Sequence, residues 1–261
     1  MAYNITDKEM KILAIIPARY ASTRLPGKPL AKILDKPMIQ WAYENVSKVF
    51  DHIYVATDDT RIFDTVSGFG GNCVHTSPNH RSGTDRCVEA LEQIEKDLKV
   101  NFDVVINIQG DEPFVNPEQL KMLAESFKDE MVEISTLIKP IADNSDVFNP
   151  NKPKVTIDSK GKALYFSRSP IPYIIGVKEV SWAQSHHFYK HIGIYAYRAN
   201  ILKEITQLQQ SSLEIAESLE QLRWLENGYH VQTLITEHET LAVDTPEDLQ
   251  RINEWAKDYI K

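Results

Sequence analysis

The sequence predicts an α/β fold, a mostly parallel sheet with helices on both faces, continued by a β-rich portion over about 132–198. Three observations predict it. Apolar runs at 12–16, 52–57 and 102–108 carry β-branched residues and are too short for globular helices, so they read as buried strands. Segments with apolar residues at helical spacing lie between them, and strands that alternate with helices imply parallel pairing. From residue 133 onward strand-like segments follow one another with few helices between, which suggests a mixed sheet or a β-rich insertion.

Taken in order, Ile12–Ile16 is a strand that breaks at Pro17 into a loop, and Pro37–Phe50 is a helix with Ile39, Ala42, Val46 and Val49 on one face and Pro37 in its first turn. His52–Thr57 is the second strand. Asp58, Asp59 or Thr60 caps a short helix through Val66, and three glycines turn the chain into a strand at Asn72–His75. Thr84–Leu98 is helical, and Phe102–Ile108 is the clearest central strand. Glu133–Lys139, Pro153–Asp158, Lys162–Phe166 and His191–Tyr197 form the β-rich portion, with 173–190 a flexible lid. Ala199–Leu208 and Leu213–Asn227 are helices, Val231–Thr236 is a strand, and Pro246–Trp255 is a closing helix capped near Asp244 or Thr245. Residues 1–10 read as a loosely ordered N-terminal extension and 11–261 as one domain.

With 37 acidic and 29 basic residues the net charge is −8, which argues against broad nucleic-acid or anionic-membrane binding, so any anion must meet a local cluster. No run approaches the roughly 20 apolar residues that span a bilayer, and the polar MAYNITDKEMK start lacks an apolar signal region, so a cytoplasmic location is expected. Cys73 and Cys87 sit in no metal-ligand or redox spacing and read as reduced packing residues.

Binding sites in such sheets open beyond the carboxyl ends of the strands. There the loop after Pro17 carries Arg19, Arg24 and Lys28 among Ser22, Thr23 and Gly27, groups that can converge on phosphate oxygens, and Pro17, Pro26 and Pro29 restrict its shape. It is neither the Walker phosphate loop nor the three-glycine dinucleotide fingerprint. Gln109-Gly110-Asp111-Glu112-Pro113 follows the central strand and aims a carboxylate at the same edge. Beside phosphates that carboxylate makes sense with Mg²⁺ between them, with a cap for the next turn as the alternative. Asp244 in LAVDTPEDL could supply a second metal carboxylate or serve only as a helix cap. The Ser82-Gly83-Thr84-Asp85-Arg86 turn suits base or phosphate recognition, or a helix cap. Arg168, His191, Tyr195, Glu220 and Gln221 adjoin apolar segments. Singly such residues are packing groups, whereas together they could hold an acidic, many-hydroxyl substrate, with Arg168 matching its carboxylate. No Ser/His/Asp triad, nucleophilic cysteine or histidine metal cluster calls for another chemistry.

PARYASTRLPGKPL, YVATDD, SGTDR, NIQGDEPF, ALYFSRSPIP, YKHIGIYAYR, SLEQLRWLENG and VDTPEDL, in order from residue 17 to 249, resemble the 3-deoxy-manno-octulosonate cytidylyltransferases, or CMP-Kdo synthetases. The first block is shared with other sugar nucleotidyltransferases; SRSPIP, KHIGIYAY and LEQLR point to Kdo. The resemblance implies a nucleotide-binding sheet with a dimerisation and sugar-binding portion, and transfer of CMP from CTP to the anomeric hydroxyl of Kdo for lipopolysaccharide biosynthesis. It implies Arg19, Ser22, Arg24, Lys28, Ser82, Thr84 and Arg86 for CTP, Asp111 and Asp244 for Mg²⁺, and Lys28, Asp111 and Asp244 as catalytic groups. It assigns Gln109, Arg168, His191, Tyr195, Glu220 and Gln221 to the sugar, and implies a homodimer. The N-terminal extension and the 173–190 region depart from the family pattern. Activation of 8-amino-Kdo or a sialic acid is the alternative, and a catalytically silent nucleotide-binding regulator a more distant one.

Overall fold

The computed structural model describes residues 10–22 and 24–259; Thr23 and most of the N-terminal extension lie outside the described residues. In chain order the strands and helices are β1 (Ile12–Ala18), β2 (Lys32–Ile33), β3 (Lys36–Pro37), α1 (Met38–Val46), β4 (Ile53–Thr57), α2 (Thr60–Gly68), β5 (Cys73–His75), α3 (Gly83–Leu98) and β6 (Val104–Asn107). They continue as α4 (Pro117–Ser126), β7 (Ile134–Pro140), α5 (Asn144–Phe148), β8 (Lys154–Ile157), β9 (Ala163–Ser167), α6 (Trp182–Ser185) and β10 (Tyr189–Arg198). The last are α7 (Ala199–Ile205), α8 (Ser212–Glu217), α9 (Gln221–Glu226), β11 (Val231–Ile235) and α10 (Pro246–Tyr259).

The main sheet runs β11-β7-β10-β6-β1-β4-β5, and β8 and β9 extend it from β10. Pairs among β6, β1, β4 and β5 are parallel, as is β7 with β11, whereas β10 lies antiparallel between β6 and β7. Strand alternation divides the core. Leu13, Ile15, Val105 and Tyr197 face Cys87, Ala90, Leu91 and Ile94 of α3 and Trp224 of α9. Ala14, Ile16, Ile106 and Ile194 face Ile39, Ala42 and Val46 of α1 with Leu120 and Leu123 of α4. Burial on both faces explains why β1 and β6 read as continuous apolar runs.

Four expectations are corrected and one open choice is settled. β1 does not break at Pro17, because Pro17 pairs with Ala56 and Ala18 with Thr57; a proline can occupy a ladder position where its missing N–H is not required. Pro37 is the cap of α1, which ends at Val46 rather than Phe50. Of the two readings of the 132–198 portion, the mixed sheet is the one observed: β7 and β10 belong to the main sheet, and β8 and β9 form the hairpin beside them. The helix expected over 213–227 is two short helices, α8 and α9, broken where Ser218 adopts a left-handed φ of 50°. The 173–190 segment is anchored rather than lid-like at its second half: Trp182 and Phe188 are buried in a cluster with Ile141 and Val147, although Tyr173, Ile175 and Val180 remain exposed.

Candidate active site

The carboxyl ends of β1 and β6 and the start of α3 enclose a cleft of about 720 Å³. Arg19, Ser22, Arg24, Lys28, Ser82, Arg86, Gln109, Asp111 and Asp244 all line it, so most of the residues expected at the sheet edge are brought together. The basic loop is held by its own backbone: Gly27 N–H donates to the Tyr20 carbonyl at 3.0 Å, and Leu30 N–H to Gly27 at 2.8 Å. Gly27 has a φ of 67°, and a Cβ there would lie 3.0 Å from the Tyr20 ring, so only glycine suits the turn. Gly110 permits a comparable approach, since a Cβ would come 3.0 Å from the Pro17 carbonyl.

Asp111 is not a cap; Asn116 caps α4, accepting from Glu118 N–H. Nor is Asp244, because Thr245 Oγ1 accepts from Asp248 N–H while Asp248 accepts from the amides of Asp244 and Thr245. Both carboxylates are thereby left to the cleft. A 2.9 Å bond from Val243 N–H to the Asp111 carbonyl ties their segments together across the chain. Lys28 Nζ sits between them, donating to Asp111 Oδ2 at 2.7 Å and Asp244 Oδ1 at 3.1 Å, and Arg24 meets Asp244 at 3.0 Å. Two oxygens that converge on one ammonium can also converge on a divalent cation, with its other positions going to phosphate and water.

Ser82 and Asp85 form a capping box at α3, so the cap reading of that turn holds locally. Arg86 is buried and paired with Asp58 at 2.9 Å. Thr84 faces away from the cleft lining and donates to Glu220 Oε2 at 2.8 Å. Glu112, next to Asp111, is buried, and burial together with the Asp111 charge pushes its carboxyl up to about 8.

Beyond Gln109 and outside the cleft lining lies a second cluster. His191 and Tyr195 of β10 have ring centroids 5.2 Å apart, and Tyr195 meets the Trp224 ring edge-on at 5.0 Å. Tyr195 pairs with Asn107 of β6 in the sheet, and Gln109 Nε2 donates to the Gly193 carbonyl at 3.2 Å, linking this cluster to the cleft. Burial raises the carboxyl of Glu220 above its usual range despite its bond from Thr84, and lowers the His191 imidazole to about 3. Tyr195 Oη, Gln221 Nε2 and Asn107 Oδ1 are buried with no hydrogen-bond partner. Buried polar atoms are ordinarily paired, so orphaned ones beside a cleft mark places where a hydroxyl-rich ligand could supply partners.

The cytidylyltransferase family model matches residues 13–238. The chain is 58% identical over 246 residues to the 3-deoxy-manno-octulosonate cytidylyltransferase of Parabacteroides distasonis, covering 93% of this chain and 96% of that one. It is 53% identical to the enzyme of the same name from Phocaeicola vulgatus, covering 95% and 98%. The chain belongs to this cytidylyltransferase family. A solved structure of CMP:2-keto-3-deoxy-manno-octonic acid synthetase complexed with CTP superposes with a TM-score of 0.87 at 40% identity, covering 95% of this chain and 99% of that one. A cytidylyltransferase from Leptospira borgpetersenii, 15% identical with a TM-score of 0.59, shares the fold.

In this member of the family Arg168 is placed differently from the expectation of a planar pair with a substrate carboxylate. Its guanidinium donates to the carbonyls of Glu217 at 2.6 Å, Pro150 at 2.9 Å and Ser218 at 3.2 Å, while its backbone N–H donates to the Glu217 carboxylate. The side chain therefore braces the turn that leads to Glu220 and Gln221. Three groups escape a reading of the sequence. Asn107 and Thr136 are polar residues inside apolar strands, and His80, which lines the cleft beside Arg81, lies in an unremarked loop. A polar residue interrupting VVIN and ISTLI was the available signal.

Proposed function

We propose that this protein transfers CMP from CTP to the anomeric hydroxyl of 3-deoxy-D-manno-octulosonate (Kdo), releasing pyrophosphate and activating Kdo for lipopolysaccharide biosynthesis. The observation that carries the reading is one cleft edge with cations facing two converged carboxylates, linked through Gln109 to a buried cluster of unpartnered polar atoms. A nucleoside triphosphate suits the first part and a hydroxyl-rich acid sugar the second.

Arg19, Arg24 and Lys28 would hold the triphosphate, Lys28 exchanging its carboxylate partners for phosphate oxygens and stabilising the charge that grows on pyrophosphate. Ser22, Ser82 and Arg86 would complete the CTP side, whereas Thr84, buried outside the cleft lining and bonded to Glu220, would support the sugar side instead. Asp111 and Asp244 would hold Mg²⁺; among the described residues no third His, Cys, Asp or Glu joins them, which suits a metal shared with phosphate. When bound, the ion would neutralise the phosphates and orient the attacking hydroxyl. The anomeric oxygen attacks the α-phosphorus as the bond to the bridging oxygen breaks, so the protein's work is alignment and charge compensation. Gln109, His191, Tyr195, Glu220 and Gln221 would meet the sugar, with Arg168 bracing their wall.

A homodimer in the cytoplasm completes the reading. Exposed Leu164 on β9 and Tyr173 and Ile175 beyond it support a contact between copies on that side, and no helix among the described residues is long and apolar enough to cross a membrane. The test is phosphorus NMR of the product formed with CTP, Mg²⁺ and each of Kdo, 8-amino-Kdo and a sialic acid. A phosphodiester signal with Kdo is expected. A signal only with another sugar retains the reaction and removes the substrate.

A further inference from the structure

β10 carries two more residues than the strand it pairs with. Against β7, His191 lies opposite Ile138 and Ile192 opposite Leu137, and the next pair is Tyr195 with Thr136. Gly193 and Ile194 are the additional pair. Residues four apart on a regular strand are separated by about 13 Å, and two apart by about 7 Å. Because the bulge consumes two residues, His191 and Tyr195 stand opposite β7 positions only two apart, and their rings touch at 5.2 Å. Bulges of this kind re-aim side chains near active sites.

Thr136 fills the bulge from the β7 side. It is fully buried, and its hydroxyl lies 2.8 Å from the Ile194 carbonyl, 3.1 Å from the Ile192 carbonyl and 3.1 Å from His191 Nε2. A hydroxyl has one proton, and a carbonyl can only accept. With two carbonyls facing it, the proton goes to the bulge, and the oxygen's lone pair is what His191 meets. Nε2 must therefore carry a hydrogen. A ring kept neutral by its surroundings then has a bare lone pair on Nδ1.

We propose that Thr136 is a positioning residue for the acid-sugar half of the site, fixing His191 as the Nε2–H tautomer so that Nδ1 accepts a hydrogen bond from a substrate hydroxyl. The inference rests on the sugar-transfer reading for its substrate, while its tautomer is a property of the free protein. One side chain thus serves two tasks: it closes the bulge that brings His191 beside Tyr195, and it sets which imidazole nitrogen faces the ligand.

The experiment uses the full chain with ¹⁵N-labelled histidine. Long-range proton–nitrogen correlation, with the His191 signal assigned by its absence in His191→Gln, should show an unprotonated Nδ1 and a protonated Nε2 without any substrate. Thr136→Val, which keeps the shape and removes the hydroxyl, should mix the tautomers and raise the KM for Kdo about tenfold with the KM for CTP little changed. Thr136→Ser should restore both readouts. A protonated Nδ1 in the native protein overturns the proposal whatever the substrate proves to be, as does a Thr136→Ser variant that behaves like Thr136→Val. If the native tautomer is as expected but no acid sugar turns over, the substrate reading fails and the tautomer assignment stands.

Discussion

The proposed CTP side and the proposed sugar side of the site are built in opposite ways. The first is open and charged, with the segments after β1 and β6 and before α10 tied by the Val243–Asp111 backbone bond and by Lys28 between Asp111 and Asp244. The second is buried and mostly neutral, made by a bulge in one strand and carrying unpaired Tyr195, Gln221 and Asn107 atoms. Charges that can pair with one another in the free protein cost little while they wait for a ligand, whereas buried orphans cost stability until one arrives. The comparison predicts that damage to the first region appears in turnover and damage to the second in sugar affinity.

The largest expected effect is on the charged side. Asp111→Asn should lower kcat with Mg²⁺ at least a hundredfold, about 2.7 kcal/mol of transition-state stabilisation, with little change in melting temperature. Near-normal rates would remove Asp111 from the metal. On the buried side, Tyr195→Phe should raise the KM for Kdo about tenfold, roughly 1.4 kcal/mol, and leave the KM for CTP unchanged. Its stability should hold or rise, since the lost hydroxyl had no partner to lose. A clear fall in melting temperature would show that this hydroxyl already has a structural role.

Arg168→Ala sharpens the boundary between support and contact. Loss of its bonds to three backbone carbonyls should cost about 1–3 kcal/mol of stability, seen as a drop of several degrees in melting temperature, with a modest rise in the KM for Kdo. A large rise in that KM at unchanged stability would instead put the guanidinium on the sugar. The smallest effect is in the pH profile. His191 has a lower pKa folded than unfolded, so the unfolded chain takes up a proton first on acidification. The stability conferred by the neutral ring is complete above about pH 6.5 and is lost progressively toward about pH 3. His191→Gln should flatten the fall in melting temperature across that window; an unchanged slope would mean that His191 is protonated in the fold.

The two regions were also unequally legible. The alternation of β-branched runs with amphipathic segments exposed β1, β4, β6 and the helices between them, and the parallel-sheet rule then carried Lys28 and Asp111 to one edge. Those inferences need only local pattern and one topological rule. Nothing local shows that Pro17 continues a strand, that Ser218 divides a helix, or that β10 enters antiparallel between β6 and β7. The bulge is less visible still, because inserting two residues preserves alternation: His191 and Tyr195 keep the same face whether or not Gly193 and Ile194 are extruded. Arg168 was legible as a polar residue beside a strand, but the carbonyls it braces come from residues 150, 217 and 218, joined only by the fold.

The central claim is that two substrates share this site, one on each side of Gln109. Pyrophosphate release, followed continuously with Mg²⁺ over a grid of CTP and Kdo concentrations, tests it most directly. One pyrophosphate per Kdo consumed, none with either substrate alone, and saturation in both is the result expected. Release that proceeds at full rate with CTP alone, or that is indifferent to Kdo at every CTP concentration, would contradict it.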